Sequence, residues 1–351
     1  MANVTGTKNN DILLDPSTSP DTFNGKGGID TLVSDFSWGS ATLFDMNTGE
    51  RTVSGTVFDT FKNIENLTVG GAAHVIGDDK NNVIKFVDTS TFNDNQAFAG
   101  GGNDKVLGRA GDDILFGNAG NDTLKGGEDD DILRGGKGAD KLYGGEGQDN
   151  LRGDKGKDIL DGGDGEDILH GGDGKDVLDG GDGDDQLFGD NGNDILKGGD
   201  GQDELHGGNG NDTLQGGYDD DQVYGDGGDD IVKGGNGDDN LFGQIGDDTL
   251  KGGDGNDILD GGVGNDVLIG GEGEDTFVFQ HSGSDVIEDF EDGVDLLDLS
   301  GFGFANVDEA LSHFFERGSA TNDVVGFEHD GTTIKIKGLD LADIDASDII
   351  I

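Results

Sequence analysis

A nine-residue frame runs from Ala99 to Val278 without insertion or deletion, twenty repeats in 180 residues. Its first position is Gly in nineteen repeats, with Ala99 the exception, and its fourth is Gly in eighteen, with Asp129 and Asp219 departing. The sixth is Asp in all twenty: Asp104, Asp113, Asp122, Asp131, Asp140, Asp149, Asp158, Asp167, Asp176, Asp185, Asp194, Asp203, Asp212, Asp221, Asp230, Asp239, Asp248, Asp257, Asp266 and Asp275. The eighth is always apolar, sixteen Leu plus Val106, Val223, Val232 and Phe277. A fixed short period of this kind marks a solenoid, in which a repeat buries its apolar side only against its neighbours.

Each fixed position has a physical reason. Glycines at the first, second and fourth positions allow left-handed or closely approaching backbone, so a tight turn forms. That turn aims carbonyls inward, and the sixth-position Asp adds a carboxylate. Positions seven to nine alternate about the apolar eighth, as a short strand requires. Turn and strand advance half a circuit, so two repeats close one coil. The predicted fold is all-β, a parallel β-roll whose coils stack about 4.8 Å apart. Eighth-position side chains from both sides fill its thin core.

Stacking sets the aspartates in two columns, each with a carboxylate every eighteenth residue. Like charges so close raise each other's pKa unless something separates them. A hard divalent cation between successive turns does so, and calcium, with six to eight oxygen ligands in flexible geometry, suits carbonyls plus carboxylates. Ten turns per column leave nine gaps, so two columns offer up to about eighteen calcium sites. The repeat block carries 46 acidic and 13 basic residues, a net charge of -33 that eighteen calcium ions nearly cancel.

Composition agrees. Gly fills 71 of 351 positions, only 31% of the chain is hydrophobic, and the net charge is -54. Without metal such a chain falls in the disordered class. Nucleic acid and anionic membrane surfaces are excluded as partners by that charge. Cysteine is absent, which removes disulfides, thiolate zinc sites and thiol catalysis. No stretch approaches the roughly 18 apolar residues of a transmembrane segment. The start, Met1 to Lys8, lacks a basic residue followed by an apolar run, so export is expected by a route that does not read the N-terminus.

The nonapeptide, as in Gly144-Gly145-Glu146-Gly147-Gln148-Asp149-Asn150-Leu151-Arg152, resembles the RTX (repeats-in-toxin) calcium-binding repeat. The resemblance implies a right-handed parallel β-roll with calcium in its turns and export by type I secretion machinery. Gly6 to Leu14 and Gly25 to Val33 read as worn copies with Asp11 and Asp30 in the sixth place. Asn63 to Thr68 looks like a segment common upstream of such arrays. Gly77 to Lys85 is another worn copy, with Asn82 in place of its Asp.

Three regions follow: 1–98, an irregular β-solenoid start containing Trp38; 99–278, the repeats; and 279–351, a cap. In the last, Ser284 to Phe302 resembles the segment closing the β-roll of serralysin-type proteases. One short helix is expected within Asn306 to Glu316, then a hairpin over Asp323 to Lys337 turning at Asp330-Gly331. The final stretch, Leu339 to Ile351, looks like the uncleaved signal of type I substrates and also suits a capping strand. None of the six histidines precedes a Glu, so His-Glu-x-x-His is absent, as is Gly-x-Ser-x-Gly. His170 and His206 share the ninth position and read as duplicated surface residues rather than a metal clamp. The expected function is a secreted, extracellular, non-enzymatic calcium-binding protein of a matrix, cell surface or adhesive layer. The alternative is an accessory or enzyme of extracellular polysaccharide modification of the alginate type.

Overall fold

The computed structural model describes residues 74–86, 94–316 and 324–351 together with Leu67, and earlier residues only as backbone strands between Asn3 and Val87. The chain forms two compact units, Met1–Val177 and Leu178–Ile351. Both are all-β, and the described residues contain only a five-residue α-helix and a three-residue 3-10 turn.

In the N-terminal unit, consecutive strands Lys105–Ala110 and Ile114–Ala119 belong to opposite parallel sheets. Each strand pairs with the one eighteen residues on, as in Leu115 with Leu133 and Leu124 with Leu142. The strands are longer than the three residues the alternation predicts. They run from the seventh position through the third or fourth of the next repeat, because the second- and third-position residues also pair with the strand one coil on, as Arg109 with Gly127 and Ala110 with Glu128. The eighth-position residues from Val106 to Leu169 are at most 1% exposed and form the core between the sheets. The apolar line continues backward through Ala97, Ile84, Val75 and Leu67, all fully buried.

Before the repeats, parallel strands Ile12–Asp15, Thr31–Ser34 and Asn66–Gly70 lead into Val83–Val87. An antiparallel set of Thr42–Asp45, Glu50–Val53 and Thr56–Lys62 interrupts them. The expectations for Asp11, Asp30 and Trp38 lie outside the described residues.

The C-terminal unit repeats the roll: Leu205 pairs with Val223, Leu250 with Leu268, and Leu259 with Phe277. Beyond the last repeat, Ser284–Ile287 and Leu296–Asp298 each add a parallel strand to one sheet. The expected helix is Val307–Leu311, capped by Asn306, whose side chain accepts the Glu309 N–H at 3.0 Å. It stops early because Phe314–Glu316 instead pairs antiparallel with Val324–His329. The hairpin joins Val324–His329 to Thr332–Lys337, with Asp330 and Gly331 at φ 45° and 91°, the left-handed pair a two-residue turn needs. Finally Ile349–Ile350 lies parallel to Leu296–Asp298 with Ile349 buried, so the chain's last residues cover a sheet edge.

Candidate metal centres

All twenty sixth-position aspartates are buried, none more than 3% exposed. In each described column the Oδ1 of one Asp accepts the backbone N–H of the column residue one coil earlier. In the N-terminal unit Asp104 donates to Asp122, Asp122 to Asp140, Asp140 to Asp158 and Asp158 to Asp176, at 2.7–2.8 Å. In the C-terminal unit the chain from Asp185 through Asp203, Asp221, Asp239 and Asp257 to Asp275 repeats it at 2.8–2.9 Å. The same residue's carbonyl accepts from the seventh-position N–H of the following coil, as the Asp104 carbonyl does from Thr123 N–H at 2.8 Å. The carboxylates are therefore structural members of the ladder, a role that the spacing alone did not reveal.

The second oxygen is different. In all twenty residues Oδ2 is buried and accepts no hydrogen bond. A buried charged oxygen in that state is costly. The first-position glycine shows what surrounds it. A Cβ added at Gly153 would lie 2.6 Å from Asp158 Oδ2 and 2.6 Å from the carbonyl of Gly171; at Gly225 the distances are 2.7 Å to Asp230 Oδ2 and 2.9 Å to Gly243 O. Carboxylate and carbonyl oxygens thus converge on a point kept open only because glycine has no side chain. With the carboxylate ionised neither oxygen can donate, and a cation between them satisfies both at once. Among the described residues no three His, Cys, Asp or Glu side chains converge. A metal here takes its ligands from carboxylates and backbone carbonyls, the mixture a hard cation accepts.

The glycines divide by purpose. Those at the first position make close approaches, whereas the described second and fourth positions are largely left-handed. Residues there other than glycine adopt the same conformation: Arg109, Asn118, Asp154, Asp190, Asp226 and Gln244 at the second, Asp129 and Asp219 at the fourth, all with φ from 68° to 97°.

Burial dominates the electrostatics. It pushes the Asp131 carboxyl up to about 9, with Asp113 and Asp149 adding repulsion, and Asp221 up to about 8, with Asp203 and Asp239 adding theirs. Asp104, Asp140, Asp203, Asp230 and Asp257 rise to about 7, again chiefly by burial. Keeping such a row ionised at neutral pH requires counter-charge.

The columns end in residues that meet this need differently. Toward the N-terminus the column residues are Asn82 and Asn95, whose N–H groups donate to Asp104 and Asp113. Asn82 satisfies its own amide within the turn, accepting from Asp78 N–H at 3.0 Å and donating to Asp78 Oδ1 at 3.2 Å. Toward the C-terminus, Asp285 accepts from Asp266, and Asp295 from Asp275. Asp295 Oδ2 takes the Glu291 N–H at 2.8 Å, and the buried Asp348 takes Gly293 and Asp345 N–H on its two oxygens. Backbone donors there satisfy carboxylate oxygens whose counterparts in the repeats accept no hydrogen bond.

Two exposed arrangements escaped the sequence reading. Fifth-position Asn and Asp side chains accept the N–H of the fifth position one coil later, as Asn103 from Asn121 and Asp238 from Asn256, at 2.8 and 2.7 Å. This ladder runs opposite to the buried one; its signal was the prevalence of Asn and Asp at that position. Second-position acids also pair with ninth-position cations. Asp154 bonds Arg134 and Arg152, and Asp226 with Glu204 flanks His206, at 3.3 and 3.2 Å. The Asp226 hydrogen bond, then that of Glu204, raises the His206 pKa. His206 also stacks between Phe188 and Tyr224 at 5.3 and 4.5 Å.

Parallel coils carrying a buried oxygen row in their turns define a metal-binding β-roll. The chain belongs to the family of RTX calcium-binding nonapeptide repeats, whose description matches overlapping windows running unbroken from residue 90 to residue 277, over half of the chain. Among solved structures, it is similar to the AlgE6R3 subunit of the Azotobacter vinelandii mannuronan C5-epimerase. That similarity has 28% identity over 38% of this chain and 78% of the other, with a TM-score of 0.23. No curated protein matches. Among the described residues no helix is long and apolar enough to cross a membrane.

Proposed function

We propose that the chain is a secreted, non-enzymatic protein that folds around calcium outside the cell and serves as a matrix, surface or adhesion component. Its ligands are the twenty sixth-position aspartates together with turn carbonyls, holding up to about eighteen ions. The observation that carries this reading is the row of buried, unbonded Oδ2 atoms facing first-position carbonyls. At cytosolic calcium the chain stays unfolded and can be threaded through a type I exporter. At the near-millimolar calcium met by extracellular modules it closes into the roll. Residues 1–98 and 279–351 flank the repeats as end caps, and the last stretch doubles as the export signal.

The export part is tested by deleting residues 340–351 in cells carrying a type I exporter. Loss of protein from the medium, with calcium binding by the purified variant intact, is expected. Unchanged export would overturn the assignment of the signal.

A further inference from the structure

We propose that one face of the C-terminal unit binds an extended acidic glycan. A trough of about 400 Å³ lies along the sheet containing Ile195–Asp200, Thr213–Tyr218, Ile231–Asn236 and Thr249–Asp254. One wall is the ninth-position column, where Lys197, Lys233 and Lys251 are all exposed. The other is the third-position column, where Tyr218 is 60% exposed and Asn236 follows it. The floor is backbone, because Gly199, Gly217, Gly235 and Gly253 hold every second position between the walls. On the unit's opposite sheet that position carries Asp190, Asp226 and Gln244 among Gly208 and Gly262, so the floor there is interrupted by side chains.

The charges choose the occupant. Lys233 pairs in register with Lys251, and Lys197 stands two strands before Lys233, so cations recur at about 4.8 and 9.6 Å along the trough. Like charges directly opposite each other on paired strands are unfavourable. Lys197 has Asp179 at 3.1 Å, but among the described residues neither Lys233 nor Lys251 has an ion-pair partner. Two uncompensated cations side by side, in a chain with 76 acidic residues and 22 basic, are the reverse of what its composition supplies by default. A linear partner with one carboxylate per ring relieves them. Gln215 and Asn236 offer hydrogen bonds to ring hydroxyls, and Tyr218 offers an aromatic face with a polar tip.

The proposal rests on the calcium-loaded roll of the preceding section, not on where the protein acts. Its test is calorimetric titration of the full chain in calcium with oligogalacturonate too short to gel. Circular dichroism of each variant shows separately whether the roll has formed. Binding should weaken about tenfold or more in the K233Q/K251Q double variant, two charged hydrogen bonds being lost. It should also weaken in Y218A, stay unchanged in K105Q/K141Q of the N-terminal unit, and be absent for a neutral glucan of equal length. Undiminished affinity in folded K233Q/K251Q, or tighter binding of single-stranded DNA through the same lysines, would overturn the assignment.

Discussion

Asp158 holds the N–H of Asp140 on Oδ1 at 2.8 Å, while its Oδ2 faces the carbonyl of Gly171 across the bare α-carbon of Gly153. One carboxylate thus ties itself to the coil before and presents an oxygen toward the coil after. The first half of that arrangement is satisfied by the chain itself; the second leaves an oxygen that accepts no hydrogen bond, the place where the proposed calcium binds. The proposed function therefore makes folding and metal binding one event in the repeats.

Filling the cradle should remove a site. A methyl group at Gly153 would stand 2.6 Å from each of the two facing oxygens, too close for a carbon unless one of them moves. The G153A variant should bind about one calcium ion fewer and lose hydrogen-exchange protection in neighbouring coils. The same change at Gly303, which has nothing within 4 Å and φ 69°, should cost only left-handed strain, about 1 kcal/mol, with calcium stoichiometry intact. Full stoichiometry in G153A would show that the ions lie elsewhere.

The pH response without metal should be inverted relative to most proteins. Asp131 and Asp221 have folded pKa values of about 9 and 8 against the ordinary 3.8, because burial disfavours their charged forms. Between those limits the folded chain binds more protons than the unfolded one, so stability falls as pH rises. In chelator, lowering the pH from about 7.5 to about 5.5 should increase β-structure in the far-ultraviolet spectrum. With calcium present the same change should weaken ion binding, since protons compete for the carboxylates. A metal-free spectrum indifferent to pH would mean that these groups are not buried in the metal-free state.

Backbone strain at the second position should be separable from its side-chain pairing. Gln244 sits at φ 70° and, among the described residues, only its backbone carbonyl is bonded, by Val263 N–H at 2.7 Å, whereas the side chain of Asp154 at φ 72° bonds Arg134 and Arg152. Replacing Gln244 with Gly removes about 1 kcal/mol of strain and should raise exchange protection over residues 243–251 at limiting calcium. D154G removes similar strain but loses exposed ion pairs worth up to about 1 kcal/mol in total, so its gain should be smaller or absent. Equal gains in the two variants would contradict this division.

The repeat made the roll legible, since a strict period leaves few ways to stack a buried eighth position and a turn aspartate. The buried carboxylate row was equally plain, because Asp never yields at the sixth position. What each oxygen does was not readable. Oδ1 and Oδ2 are identical in sequence, and only the stacked backbone gives Asp140 N–H to one of them and leaves the other for a cation. The column ends were also hidden: Asn95 precedes the frame, and Asp295 and Asp348 follow it after irregular spacing. The pairing of Asp154 with Arg134 spans twenty residues, one coil and two positions, a separation that a nine-residue frame does not bring out.

The most direct test is a single far-ultraviolet circular dichroism titration of the intact chain at neutral pH, from excess chelator to millimolar calcium. Disorder in chelator and a cooperative gain of β-signal with calcium are expected. Magnesium at equal concentration should fail to reproduce it, because its smaller, stricter octahedron does not suit carbonyl-lined turns. A full β-spectrum in complete chelation would contradict the account, since the buried Oδ2 rows would then need no ion.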